Sequence, residues 1–304
     1  MTALDYRIGL DLGGTKIAGI IFDRDDRVLD TQRRPTPRGN YAATLQALTA
    51  MVRELSASHA GNYSVGVGIP GSLRPGADTV QNANSTWLNG QRVGADFEQL
   101  LGQPVRCEND ANCFALSEAH DGAAQGKRSM FGVILGTGCG GGLVFDGRLV
   151  SGPRNIGGEW GHNPLPWPEA GETPGPSCWC GLNGCLETWI SGTGLADDHL
   201  RVAQTPVSGE NIVQAAQAGN AAAKATLARH ASRLARGLAH VVNIFDPDVI
   251  VLGGGLSSLQ HLYVELPALM SRYIFAADRT VDIRPPKWGD ASGVRGAARL
   301  WPLH

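Results

Sequence analysis

The chain has 304 residues, of which 42% are hydrophobic and 18% charged. At ~150 residues per domain this is one large or two ordinary domains, and the composition excludes a charge-driven disordered chain. A net charge of −2 offers no general attraction to nucleic acid or to an anionic membrane.

No apolar run approaches the ~20 residues that a membrane-spanning helix needs. Met1–Arg7 lacks the basic-then-apolar pattern of a secretory leader. A cytoplasmic location is therefore expected, and the six cysteines are read as thiols or metal ligands before disulfides.

In chain order, Arg7–Leu12 reads as a buried strand running into Gly13-Gly14, Ile17–Phe22 as a second strand and Arg27–Thr31 as a third. Tyr41–Leu55 carries Leu45, Leu48, Val52 and Leu55 at helical spacing. Ser64–Ile69 is a buried strand ending at Pro70-Gly71. Val105–Glu108 is a short strand before a helix over Ala111–Ala119. The polar, aperiodic Asp121–Arg128 is a candidate hinge. Phe131–Leu135 then repeats the opening: laid without gaps over Gly132–Asp146, the segment Gly9–Asp23 matches at Gly9, Leu12, Gly13, Gly19, Phe22 and Asp23. This points to a duplicated strand–glycine turn–strand unit, one copy per lobe.

Gly152–Gly192 is irregular and rich in Gly, Pro, Trp and Cys, so it needs an organiser. Ala221–Phe245 is a long amphipathic helix with Leu234, Leu238 and Val241 on one face. Arg229, Arg233, Arg236 and His240 on another face are read as solvated. Val249–Leu252 is a buried strand entering Gly253-Gly254-Gly255. A helix follows, which Ser257 or Ser258 can cap, and a last helix spans Ser292–Leu300. Alternating strands and helices in two similar halves give a two-lobed α/β fold. The first lobe is expected over 1–120, completed by a helix at 291–304, and the second over 121–290.

Three glycine turns are candidates for anion contact, because glycine permits both the dihedrals and the close backbone approach that phosphate oxygens require. The first is Asp11-Leu12-Gly13-Gly14-Thr15-Lys16, where Thr15 adds a hydroxyl and Asp11 could hold hydrated magnesium. Gly136-Thr137-Gly138 echoes it, and Gly253–Gly255 sits at a strand-to-helix junction. His162, Cys178, Cys180 and Cys185 form a plausible closed tetrahedral zinc set, which would be structural. Cys107, Cys113 and Cys139 show no ligand spacing and read as small buried residues. Glu159 and Glu187 flank the His–Cys set and suit the hydroxyls of a neutral polyol. Asn82–Trp87 adds amides, hydroxyls and an aromatic face. Within Glu108-Asn109-Asp110, Asp110 could take a proton from an attacking hydroxyl or cap the following helix; spacing alone favours the cap.

Taken together, these motifs resemble the ROK family of bacterial sugar kinases over essentially the whole chain. Asp11–Lys16 and Leu135–Gly142 resemble its phosphate motifs. Gly157–His162 and Cys178–Glu187 resemble its signature segments. The resemblance implies an actin-like, ribonuclease-H-like two-lobed ATPase fold with the active site between the lobes. It implies ATP and Mg2+ as well as structural Zn2+, and a homodimer. It makes Asp110 the catalytic base and assigns Asn84, Asn109, Asp110, Glu159, His162 and Glu187 to sugar binding. Within the family, Gln81–Gly90, Gly161–Trp167 and Gly293–Ala298 are similar to the manno(fructo)kinase branch, which implies fructose or mannose as acceptor of a phosphoryl group at the 6-hydroxyl. N-acetylglucosamine, N-acetylmannosamine and glucose are the alternatives. The family also contains repressors, but only seven residues precede Ile8, too few for a helix-turn-helix domain. A non-catalytic sugar-binding role fits poorly with Asp11, both phosphate turns and Asp110 all being in place.

Overall fold

The computed structural model describes residues 4–301. The chain divides into two compact units. One comprises Met1–Gln125, Gly142–Gly158 and Lys287–His304; the other comprises Gly126–Gly141 and Glu159–Pro286. The first crossing falls inside the polar segment Asp121–Arg128. Residues 142–158, grouped by sequence with the second lobe, cluster with the first unit.

The opening elements are β1 (Tyr6–Leu12), β2 (Lys16–Phe22), β3 (Val28–Pro35), α1 (Tyr41–Ser56) and β4 (Tyr63–Ile69). A small hairpin, β5 (Ser72–Arg74) and β6 (Thr79–Gln81), precedes α2 (Val93–Leu101), β7 (Val105–Asn109) and α3 (Asp110–His120). The third strand thus runs to Pro35, past the expected Thr31. The hairpin and α2 have no counterpart among the expected elements, since three-residue strands and a nine-residue helix carry too few positions for a clear period. The five-stranded sheet has the order β3-β2-β1-β4-β7. Its β1–β2 and β2–β3 pairs are antiparallel, and its β1–β4 and β4–β7 pairs parallel. On one face Ile8, Leu10 and Leu12 join Leu45, Leu48, Val52 and Leu55 of α1 in the core. Asn40 starts that helix by accepting from the Ala43 amide, which satisfies one of its open amides.

The later elements are β8 (Ser129–Leu135), β9 (Cys139–Phe145), β10 (Arg148–Leu149), α4 (Glu187–Ile190), α5 (Gly192–Ala203), α6 (Gly209–Gln217) and α7 (Ala221–Phe245). They are followed by β11 (Val249–Gly253), α8 (Gln260–Ser271), β12 (Ile283–Arg284) and α9 (Ser292–Ala298). The second five-stranded sheet has the order β10-β9-β8-β11-β12. This order repeats the first sheet, with β8 and β9 standing where the overlay of Gly132–Asp146 on Gly9–Asp23 places β1 and β2. The duplication is therefore topological as well as sequential. These mixed α/β sheets are consistent with an actin-like ATPase fold. Among the described residues no helix is long and apolar enough to cross a membrane.

Helix α9 packs on the other face of the first sheet at very short range. A Cβ at Gly66 would overlap the Ala297 carbonyl, and one at Gly296 would overlap the Cys113 carbonyl of α3. Only glycine lets these backbones meet.

Further expectations from the sequence do not hold. The arginine face of α7 is not solvated, because Arg233 and Arg236 are buried. Arg236 donates to both oxygens of Glu172 (2.7 and 2.9 Å), and Arg233 bridges Glu172 and Asp198 at 2.8 Å each. The physical reason is that the irregular 163–190 segment and α5 lie over this face and bring their own carboxylates; Trp189 also lies under the Arg233 guanidinium, 4.3 Å from it. The second correction concerns α8, which starts at Gln260 without a side-chain cap. The Ser257 and Ser258 hydroxyls donate instead to the Gly254 and Gly255 carbonyls. The last helix also stops at Ala298, short of Leu300; residues 302–304 of the expected 291–304 element, like residues 1–3, lie outside those described.

Candidate active site

In the first unit the β1–β2 turn is closed by the Gly13 amide donating to the Lys16 carbonyl at 3.0 Å. Thr36 fastens it from β3's end: its hydroxyl donates to the Gly13 carbonyl (2.7 Å) and its amide to the Thr15 carbonyl (2.9 Å). With these carbonyls occupied, the exposed side chains of Thr15 and Lys16 face solvent. Gly14 lies against Ser85; a Cβ there would sit 3.3 Å from its hydroxyl oxygen. Ser85 is buried while its neighbour Asn84 is exposed. Asn89 holds this loop, accepting from the Ala83 amide (2.9 Å) and donating to its carbonyl (3.0 Å). Neither Thr36 nor Asn89 carries a signal in the sequence, because each acts only through backbone groups that tertiary structure brings near.

At the end of β7 the helix cap is Asn109, not Asp110. Its Oδ1 accepts from the amides of Ala111 (2.9 Å) and Asn112 (3.1 Å), and its Nδ2 donates to the Gly71 carbonyl (2.9 Å). Asp110 is the first residue of α3. Its Oδ1 accepts from the Ala111 amide (2.8 Å) and from Asn109 Nδ2 (3.1 Å). Both bonds fall on Oδ1. Burial raises the Asp110 pKa, and those two hydrogen bonds oppose the rise. Asp11 is pushed up to about 7, first by burial and then by the Asp110 charge, with Lys16 and Arg33 acting in the opposite sense. A carboxyl whose proton affinity is raised by burial and by a neighbouring carboxylate, as that of Asp11 is, can be relieved by a cation. Glu108, part of that segment but given no role from sequence, accepts from the Asn109 amide (2.8 Å) and from Asn112 Nδ2 (3.0 Å), and so steadies the cap.

In the second unit the Gly136 amide donates to the Gly138 carbonyl at 3.0 Å, while the Gly136 and Thr137 carbonyls accept from the Gly192 amide (2.7 Å) and the Thr193 hydroxyl (2.9 Å). The start of α5 thus pins the second glycine–threonine turn and leaves Thr137 exposed. In the third turn Gly253 ends β11. Gly254 has φ +78°, and a Cβ there would meet the backbone of Leu135 at 2.5 Å. Close packing accounts for that glycine, while Gly255 faces open space.

Around the His–Cys loop, the ligand atoms of His162, Cys178, Cys180 and Cys185 lie within 4.8 Å of one another. Cys178 Sγ is 3.6 Å from His162 Nδ1, and Cys180 Sγ is 3.6 Å from Cys185 Sγ. Zinc–sulfur bonds of ~2.3 Å put tetrahedral sulfurs about 3.8 Å apart, whereas a disulfide would hold them at ~2 Å. The donor set and its spacing fit zinc. Since Nδ1 faces the thiols, His162 keeps Nε2 for another partner. Glu187 Oε2 accepts from the Cys139 amide (2.9 Å) and Oε1 from the Trp179 indole (2.7 Å). Glu187 and Glu159, after burial, both raise the Cys139 pKa, so the two carboxylates share that neighbourhood. Cys113 and Cys139 are buried and Cys107 half-buried, and burial raises all three thiols.

The ROK family description matches residues 7–303. The chain belongs to the ROK family. It is 40% identical to the N-acetyl-D-glucosamine kinase of Yersinia enterocolitica over 296 residues, covering 96% of this chain and 98% of that one. It is 38% identical to the enzyme of the same name from an Escherichia coli O139:H28 strain, covering 96% and 98%. Among solved structures, a ROK hexokinase from Thermus thermophilus superimposes with a TM-score of 0.86 at 35% identity, covering 96% of each chain. A ROK glucokinase from Streptomyces griseus, in complex with glucose and AMPPNP, gives 0.79 at 29% identity, covering 97% and 98%. These ROK relatives are sugar kinases, and the Yersinia and Escherichia enzymes act by name on N-acetyl-D-glucosamine. They favour the N-acetylated alternative over the fructose expected from the branch-like segments.

Proposed function

We propose that this ROK protein is an ATP-dependent sugar kinase whose acceptor is N-acetylglucosamine, phosphorylated at its 6-hydroxyl. The observation that carries the chemistry is the Asp110 carboxylate, fixed through one oxygen at the start of α3 beside Asp11. The acceptor is carried by the 40% identity across nearly the whole length of the Yersinia enzyme. The sugar hydroxyl gives its proton to Asp110 as the γ-phosphoryl group moves in line, so rate comes from positioning and charge neutralisation. Gly13–Thr15 with Lys16 and Gly136–Gly138 receive the phosphates, and Gly253–Gly255 lets the nucleoside approach the backbone. Asp11 would hold Mg2+, which supplies neutralising charge at the phosphates. Asn84, Asn109, Glu159, His162 and Glu187 bind the sugar's hydroxyls. Zinc held by His162, Cys178, Cys180 and Cys185 would be structural, since no ligand position stays open. The protein works in the cytoplasm as a homodimer.

An ADP-release assay with MgATP across N-acetylglucosamine, N-acetylmannosamine, glucose, mannose and fructose tests the acceptor. The highest kcat/KM is expected for N-acetylglucosamine; a site built around a polar substituent rejects analogues lacking it by as much as ~10⁴-fold. A preference for fructose or mannose would restore the reading suggested by Gln81–Gly90. Elemental analysis should find about one zinc per chain. Cys180→Ser should lower zinc content and sugar affinity while MgATP binding persists, and zinc-free protein with normal sugar affinity would refute that coupling.

A further inference from the structure

The registers of the first sheet line up one row of side chains across all five strands. Arg33 of β3 faces Ala18 of β2, Ala18 faces Asp11 of β1, Asp11 faces Gly68 of β4, and Gly68 faces Glu108 of β7. Directly opposed residues point to the same face, so Arg33 shares the face of Asp11. The two backbones are about 10 Å apart, at ~4.8 Å per strand, with only a methyl group between them. That distance is within the span of an arginine side chain reaching over Ala18.

Arg33 is exposed, and among the described residues no hydrogen bond or ion pair holds its guanidinium. Its neighbour Arg34 is spent on the opposite face, donating to Glu54 at 2.7 Å. Lys16, two residues before Ala18 and therefore on the same face as Arg33, is paired loosely with Asp290 (3.3 Å, both side chains more than half exposed). Arg33 and Lys16 are cations close enough to Asp11 to oppose its protonation, while Asp290, paired with Lys16, favours it. The turn beside them is the one whose carbonyls are tied back by Thr36. The arrangement is an uncommitted guanidinium on the same row as a carboxylate at a glycine turn, two strands away on the exposed rim of the sheet.

We propose that Arg33 is a phosphate-contacting residue of the nucleotide site, pairing with the outer phosphates of ATP at the Asp11–Lys16 turn. This rests on the reading of that turn as a phosphate site. A planar fork of N–H donors suits phosphate oxygens, and an arginine free of internal partners gives up no ion pair to bind them. Lys16 adds a point charge beside it.

Calorimetric titration with MgATP and with AMP tests this on the full chain. Arg33→Met should weaken MgATP about ten- to hundredfold, the range of a charge-assisted contact. AMP, which lacks the outer phosphates, should bind both proteins within about twofold by the same reasoning, and Arg33→Lys should recover part of the loss. Arg34→Met, on the other face, should bind MgATP as the wild type does. An Arg33→Met protein with wild-type MgATP affinity overturns the proposal, as does an equal loss for AMP. Wild-type protein that binds MgATP without phosphorylating any sugar would defeat the kinase reading alone, because the titrations still decide Arg33. Wild-type protein that binds no MgATP would overturn both.

Discussion

Asp110→Asn should lower kcat by about 10²–10⁴-fold, the contribution usual for a general base, with little change in the KM for MgATP. The substitution is nearly isosteric. An asparagine oxygen can still accept from the Ala111 amide and from Asn109, so α3 should start where it does now. What is lost is the capacity to take a proton, together with a negative charge at a helix N-terminus worth ~0.3–1 kcal/mol of stability. Circular dichroism and thermal melting should therefore show a folded protein. Undiminished turnover would remove Asp110 from the mechanism. The pH dependence follows the same group. A base acts only when deprotonated, and burial raises the Asp110 pKa, so the acid limb of the kcat profile should lie above the ordinary aspartate range. That limb should vanish in the variant.

Arg236→Met should cost about 3–5 kcal/mol, the range for breaking a buried ion pair from one side. At about 2.1 cal/mol/K of unfolding entropy per residue, a chain of 304 residues should show a fall in Tm of roughly 5–8 °C. The variant keeps much of the apolar stem and leaves the Glu172 carboxylate, itself buried, with Arg233 alone. Burial would raise the Glu172 pKa, but bonds from Arg236, the Glu169 amide and Arg233 hold it at about 2, against an ordinary 4.5. A pKa lower in the folded than in the unfolded state contributes stability above about pH 4.5 that is lost as pH falls toward 2. The gap between wild type and variant should therefore narrow on acidification through that window, as shown by melting curves at pH 7 and pH 3. A constant gap would mean that packing, not charge, is what Arg236 supplies. Because Glu172 belongs to the segment that carries the His–Cys set, the same variant should also lose zinc faster to a chelator.

These two side chains illustrate what a linear reading can and cannot see. A strand running into Gly13-Gly14 and its echo at Gly136 were legible because a tight turn constrains residues that are adjacent in sequence. For the same reason the overlay of Gly9–Asp23 on Gly132–Asp146 anticipated two sheets of identical strand order. The His–Cys set was legible because ligand chemistry needs those residue types, and three of the four lie within eight positions. Helix α7 was placed at Ala221–Phe245 by its apolar period alone.

The same period misjudged the arginines of α7. Whether a charged face meets water or a carboxylate depends on segments remote in sequence, as with Glu172 and Asp198 (more than thirty residues from their partners). Asp110 was ranked as a cap because spacing cannot distinguish it from Asn109, which takes that role only once β7 has met Gly71. The acceptor is not legible in short segments such as Gln81–Gly90, because one buried polar contact can decide a sugar; the named relatives support the N-acetylated alternative instead. Local sequence thus determined the turns, the duplicated framework and the clustering of His162 with the three cysteines, since each is set largely by neighbours along the chain. Tertiary structure alone decided which charges are buried, that Asn109 rather than Asp110 caps α3, and that Arg33 and Asp11 share one row. Burial and alignment are properties of strands and helices that meet only after the chain has folded.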